Sequence, residues 1–223
     1  MIRVENVYKT YKNGRQNTTV LHGINMRVQS GQFAILKGVS GSGKSTLLSL
    51  IAGFEKPNSG TVYIHSDPIS KLPDIHQSKI RNEAIGFVFQ SYELFEDLSV
   101  KDNVFIPTVV YPRQNRANEN AVLQALQKAK IAHKAEEKVK NLSGGEKQRC
   151  AVARALVNDP DIIICDEPTA NLDHANSIAL LELLEELKAF KKTLLIATHD
   201  PLFDTLECVD TRLSMHDGKL KQP

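Results

Sequence analysis

Cysteine is scarce in this chain of 223 residues, and its three copies, Cys150, Cys165 and Cys208, share no Cys-x-x-Cys spacing. With no paired histidine pattern either, a zinc site is not indicated, and reduced structural thiols are expected. Charge of one sign is also lacking. The balance of 28 Lys and Arg against 26 Asp and Glu leaves a formal net charge of +2. That gives no strong pull toward nucleic acid or an anionic membrane. No apolar run approaches the roughly 20 residues needed to span a bilayer, and the N-terminus lacks the charged-then-apolar layout of a secretion signal. A cytoplasmic location is therefore expected, with any membrane channel belonging to another polypeptide. Internal repeats, low-complexity tracts and long linkers are missing too. At this length a single two-lobed domain spanning 1–223 is expected.

What the chain does carry is a glycine-rich phosphate loop, Gly38-Val39-Ser40-Gly41-Ser42-Gly43-Lys44-Ser45-Thr46. It follows the short apolar run 32–37, which reads as a buried strand, and precedes the helix-like run 47–52. Glycines at 38, 41 and 43 are expected to take positive φ, turning successive N–H groups inward as an anion nest. A helix beginning near Lys44 would aim its positive end at the same point. Lys44 would reach the β- and γ-phosphates, and Ser45 would place a hydroxyl on Mg²⁺.

Acids for the metal and the water lie downstream. The run 161–165, Asp-Ile-Ile-Ile-Cys, reads as a strand covered on both faces. Asp166 and Glu167 follow at its carboxyl end, where open α/β sheets place ligands. Asp166 is expected to hold Mg²⁺, directly or through water. Glu167 is expected to accept a proton from the attacking water.

A second phosphate-gripping stretch, Leu142-Ser143-Gly144-Gly145-Glu146, opens a helix through Leu156. Ser143 and Glu146 form a capping box, which alone marks an ordinary helix start. The glycine pair adds something further, since glycines weaken a first turn unless something must approach closely. One ATP does not easily need both stretches from one molecule. A dimer in which each copy supplies half of each site is expected.

Leu-Ser-Gly-Gly-Glu followed by Lys-Gln-Arg resembles the signature motif of ABC-type ATPases, downstream of a P-loop as that family requires. The resemblance runs from about Ile2 to Leu220 and implies further roles. Gln90, in Gly-Phe-Val-Phe-Gln, resembles the glutamine that touches Mg²⁺ and the water and reports to a membrane partner. Asp173, in Asn-Leu-Asp, resembles the loop crossing the dimer interface. His199, in Ala-Thr-His-Asp, resembles the switch histidine at the γ-phosphate. Tyr11 resembles the aromatic that stacks on adenine, with Tyr8 an open alternative. Ser143, Gly144 and Gly145 would then cap the γ-phosphate bound by the other copy.

The stretch 69–107 is similar to the macrolide-exporter, lipoprotein-releasing and cell-division group of these ATPases. Ala170 departs from that group, which more often carries glycine there. The resemblance implies an ATP-binding subunit that hydrolyses ATP with Mg²⁺ as a homodimer and drives a separate integral-membrane permease. The implied location is the cytoplasmic face of the membrane, with no nucleic acid partner. The alternative is a mechanical signalling ATPase of a cell-division-type complex that transports nothing. A DNA-repair ABC ATPase would need a long coiled coil between Ser45 and Leu142, and a translation-associated one would carry two P-loops. Neither feature is present.

The expected architecture is α/β: a P-loop core with a mainly parallel sheet, an N-terminal antiparallel β subdomain, and an inserted helical subdomain over about 91–157. Ala121, Leu123, Leu126, Ala129 and Ile131 mark one apolar pattern. Ile178, Leu181, Leu184 and Leu187 mark another. The stretch Lys128–Lys140 is expected to be a solvated helix surface. Tyr92, Leu94 and Phe95 form an apolar cluster expected to meet the permease.

Overall fold

A computed structural model describes residues 1–14, 16–110 and 115–221. Three antiparallel strands form the first sheet: β1 (Ile2–Asn13), β2 (Gln16–Val28) and, after an interruption, β4 (Ser59–Ile64). Their order is β2-β1-β4. Between β2 and β4 the chain makes β3 (Phe33–Lys37) and α1 (Lys44–Ile51). Then come α2 (Asp74–Ala84), β5 (Ile85–Val88), α3 (Val100–Val109), α4 (Asn115–Lys128) and α5 (Gly144–Leu156). The chain finishes with β6 (Ile162–Asp166), α6 (His174–Ala189), β7 (Thr193–Thr198), β8 (Thr211–His216) and β9 (Lys219–Lys221). The second sheet has the order β5-β6-β7-β3-β8-β9, parallel except for β9.

The apolar strands explain why this sheet is covered on both faces. Successive strand residues point to opposite sides. Phe33 and Ile35 of β3, Ile163 and Cys165 of β6, and Leu194 and Ile196 of β7 enter the core shared with α5 and α6. Their neighbours Ala34, Leu36, Ile162, Ile164, Leu195 and Ala197 enter the core shared with α1 and the antiparallel sheet. Each buried Ile or Leu contributes about 1.5–3 kcal/mol. Polar groups are thereby confined to the strand ends, and there the site lies.

Several expectations need correction. In α6 Leu181, Leu184 and Leu187 are buried as expected, together with Ser177, Leu180 and Leu183, but Ile178 is exposed. A step of three falls short of a full 3.6-residue turn, so the stripe drifts around the helix. In α4 Leu123 is exposed, and Val122, Ala125 and Leu126 take the buried face. The Lys128–Lys140 stretch is not a helix surface. α4 stops at Lys128, Lys130 takes φ 57°, and two short 3₁₀ turns follow. Ile131 and Val139, both fully buried, pull this segment onto the core. Residues 111–114 of the expected helical stretch lie outside the described residues. Among the described residues, no helix is long and apolar enough to cross a membrane.

Candidate active site

The carboxyl ends of the parallel strands converge on one cleft of about 300 Å³, lined by Val20, Ser40, Gly41, Gly43, Lys44, Ser45, Thr46, Gln90, Glu167 and His199. β3 delivers the phosphate loop, β5 delivers Gln90, β6 delivers Asp166 and Glu167, and β7 delivers His199. Gly41 and Gly43 take φ of 78° and 103°, as expected. Gly38 does not; it is needed for close approach instead, because a Cβ there would stand 2.5 Å from the Met215 carbonyl oxygen. Gly43 caps α1 with no side-chain hydrogen bond. The first-turn N–H groups of that helix therefore face the cleft bare, which suits a phosphate. Ser42 is buried behind the loop.

Lys44 is buried although cationic, and its partners explain how. Its Nζ donates to the carbonyl oxygens of Gly38 at 2.6 Å and Val39 at 3.2 Å. It also lies 3.1 Å from Glu167 Oε1. Glu167 Oε2 lies 3.0 Å from His199 Nδ1 and accepts from the His199 backbone N–H at 3.2 Å. Burial pushes the Glu167 carboxyl up, but the His199 and Lys44 hydrogen bonds and the Lys44 charge outweigh it and hold it below its ordinary value. An ionised carboxylate is what a general base needs. Glu167 has φ 45°, an uncommon backbone for a non-glycine residue. Its N–H is tied to the Ala197 carbonyl oxygen at 2.8 Å, which holds the turn.

Asp166 behaves differently. Burial, aided by the Glu167 charge, raises its pKa against the Ser45 hydrogen bond and the Lys44 charge. Its Oδ1 is buried with no hydrogen-bond partner. A lone buried carboxylate oxygen beside a serine hydroxyl fits a hard divalent cation that takes its other oxygens from phosphate and water. Mg²⁺ fits this donor set.

Gln90 is exposed at the cleft, and its carbonyl oxygen accepts from Asn171 Nδ2 at 3.1 Å. Immediately after it, Tyr92 and Glu93 both take positive φ, 63° and 49°. Arg154 of α5 donates to the carbonyl oxygens of both, at 2.5 Å for Tyr92. Tyr11, rather than Tyr8, reaches the segment that follows the phosphate helix: its hydroxyl donates to the Glu55 carboxylate, 2.9 Å from Oε2 and 3.0 Å from Oε1. The Tyr8 hydroxyl instead covers Gly23.

Ser143, Gly144, Gly145 and Asp173 do not line this cleft. Ser143 completes a capping box on α5: it accepts from Glu146 N–H at 3.3 Å, and its own N–H donates to Glu146 Oε2 at 2.8 Å. Gly145 is packed as well as bare, since a Cβ there would meet the Asn176 amide at 2.4 Å. Asn176 in turn donates to both carboxylate oxygens of Asp173 at 3.0 Å, and Asp173 caps α6.

Asn176, Arg154 and Val20 were not legible as site residues. Arg154 acts through two backbone carbonyls and Asn176 through packing on Gly145, contacts that only the tertiary structure creates, and Val20 arrives from β2, far from any motif. Tyr92 and Leu94, expected to form an apolar patch with Phe95, are half-buried against the core, and Phe95 alone is exposed. Cys150 and Cys165 are buried, and burial raises both thiols, Cys150 to about 12, so neither is poised to react.

A family model described as ABC transporter matches residues 21–170. The lipoprotein-releasing system ATP-binding protein LolD of Xanthomonas axonopodis pv. citri is 40% identical over 223 residues, covering 100% of this chain and 91% of the relative. Among solved structures, the ATP-binding cassette MJ0796, in a dimeric post-hydrolysis state bound to ADP and Pi, superposes with a TM-score of 0.90 at 35% identity. That match covers 100% of this chain and 98% of the other. A second dimeric structure of the same cassette gives 0.91 at 36% identity, covering 100% and 97%. The chain belongs to the ABC transporter family, as an ATP-binding and ATP-hydrolysing cassette.

Proposed function

We propose that this ATPase works as a head-to-tail homodimer, acting as one unit over 1–223 with a helical lobe at about 91–157. The observation that carries the reading is the separation of the two phosphate-gripping stretches. Lys44, Ser45, Glu167 and His199 share a cleft, while Ser143 and Gly145 stand outside it. Two copies facing each other would bring the second copy's Ser143 and the α5 N-terminus onto the γ-phosphate. Contacts that ADP lacks would favour closure, and hydrolysis would shift the population back toward open.

Within each site, Lys44 and the loop amides bind and orient the phosphates. Glu167 takes the proton from the attacking water, and His199 fixes the Glu167 carboxylate and meets the γ-phosphate. Ser45, Asp166 and Gln90 would hold Mg²⁺, which neutralises charge on the transferring group. Tyr11 stacks on the adenine. Positioning and electrostatics supply most of the rate.

The output is movement of a separate permease of the lipoprotein-releasing type, at the cytoplasmic face of the membrane; this reading rests on likeness to LolD. The contact expected at Tyr92, Leu94 and Phe95 is better assigned to a neighbouring cleft of about 300 Å³ lined by Phe54, Arg81, Phe87, Pro107, Val110 and Arg154. Phe54 and Phe87 of its wall meet edge to face at 5.1 Å between centroids, and Phe89 packs against both at 5.4 and 4.4 Å. An apolar floor with cationic edges suits a short amphipathic segment.

Mixing two inactive variants tests the shared site. A Lys44→Ala copy and a Ser143→Arg copy are each expected to be inactive. A mixed pair regains one intact site, so ATP turnover is expected to return on mixing. No recovery at any ratio would contradict the reading.

A further inference from the structure

Glu55 lies in the short link between α1 and β4, half-buried beside β1. The Tyr11 hydroxyl donates to it, 2.9 Å from Oε2 and 3.0 Å from Oε1. Lys9, two residues earlier on β1, places its Nζ 2.8 Å from Glu55 Oε2 and donates to the Lys56 carbonyl oxygen at 2.9 Å. The same ammonium lies 4.9 Å from the centroid of the Tyr11 ring. The Lys9 side chain is only 13% exposed, so its attraction to the ring face is less weakened by water. The β1 register against β2 is irregular between Val7 and Thr10, a local departure of the kind that re-aims side chains.

Tyr11 is thus held at its hydroxyl by a carboxylate and at its ring by an ammonium. A surface tyrosine would otherwise sample several rotamers. Fixing one in advance removes an ordering cost from binding. The pairing also solves an electrostatic problem. An unpaired carboxylate this close to the phosphate helix would repel a triphosphate, and Lys9 neutralises it. Burial, together with the Glu55 hydrogen bond, raises the Tyr11 pKa and keeps the phenol a donor.

We propose that Glu55 and Lys9 are positioning residues for the nucleotide base, holding the Tyr11 ring in place so that a purine meets a preset stacking surface. This rests on the base-stacking role given to Tyr11 under the proposed function. The residues on the page supply a complete device: a tether, a counter-charge and an aromatic plane, next to the helix that grips the phosphates.

The test is displacement of a fluorescent ADP from the full chain by Mg·ADP and by inorganic pyrophosphate, which has no base. Glu55→Ala and Tyr11→Phe are each expected to weaken ADP by about 3–10-fold, the scale of one lost hydrogen bond. In the Tyr11→Phe background, Glu55→Ala is expected to add less than about twofold, because the tether is already gone. Pyrophosphate affinity is expected to stay within about twofold throughout. Glu55→Gln, which keeps size and one acceptor, is expected to fall between wild type and Glu55→Ala. Equal losses for ADP and pyrophosphate, or additive losses in the double variant, would overturn the proposal. So would normal ADP affinity in Glu55→Ala while Tyr11→Ala is impaired. If Tyr11→Ala itself binds ADP normally, the base-stacking reading falls first and takes this one with it.

Discussion

Lys44 Nζ lies 3.1 Å from Glu167 Oε1, joining the cation proposed to bind phosphate to the proposed general base inside one buried cluster. Each group makes the other tolerable there, because an unpaired buried charge is costly. Phosphate oxygens would compete with Glu167 for the lysine, so binding and activation of the base are coupled. Lys44→Ala is expected to lower ATP turnover by at least about 100-fold, the scale of losing a principal electrostatic contact. Steady-state phosphate release measures it.

Arg154 ties the signature helix to the Gln90 loop through the carbonyl oxygens of Tyr92 and Glu93. Both residues hold left-handed backbone, which these contacts support together with the Tyr92 and Glu93 N–H bonds to Phe89 and Ser91. Arg154→Ala should cost about 1–3 kcal/mol in urea unfolding. It should also lower kcat more than it raises KM, since the loop follows Gln90, which is proposed to act on the water. Arg154→Lys, whose single ammonium nitrogen replaces the two that Arg154 points at the two carbonyl oxygens, should recover part of both.

Asp210 fastens three segments. It accepts from the Phe33 N–H at 2.7 Å and from Lys188 Nζ, and Lys188 also donates to the Gly31 carbonyl oxygen at 2.7 Å. Burial alone would raise its pKa, but the Lys188 and Phe33 hydrogen bonds hold it below the ordinary value of 3.8. A depressed carboxylate contributes stability above its unfolded pKa and loses it as pH falls through the folded value. Asp210→Asn is therefore expected to cost about 1 kcal/mol at pH 7, a figure kept small because the site is partly solvated. The difference from wild type should shrink below about pH 4. Urea unfolding at both pH values reads it.

Val110 is exposed beside the aromatic cleft. Val110→Glu should reduce stimulation of ATP turnover by the reconstituted permease at least about tenfold more than it reduces basal turnover, because a charge buried against an apolar segment is expensive. Unchanged stimulation would move the docking site elsewhere.

The motifs were legible because their chemistry is local. Gly41, Gly43, Lys44 and Ser45 occupy one turn, and the strand ends carrying Asp166 and His199 follow from apolar runs that must be buried. The parallel core and the antiparallel N-terminal sheet were legible for the same reason. Helix faces were less so: Ile178 and Leu123 fit an apolar tally, but their orientation depends on neighbours that periodicity does not contain. Contacts such as Asn176 against Gly145, or Glu55 on Tyr11, join residues distant in sequence through ordinary polar side chains. No local pattern announces them.

The decisive measurement is sedimentation of the Glu167→Gln variant with and without Mg·ATP, since that variant should bind ATP but not consume it. A chain of 24.8 kDa that sediments alone should double in mass when ATP is added, and return when ADP replaces it. A variant that binds ATP yet stays at single-chain mass at every concentration, alone and with the proposed permease, would contradict the shared-site account.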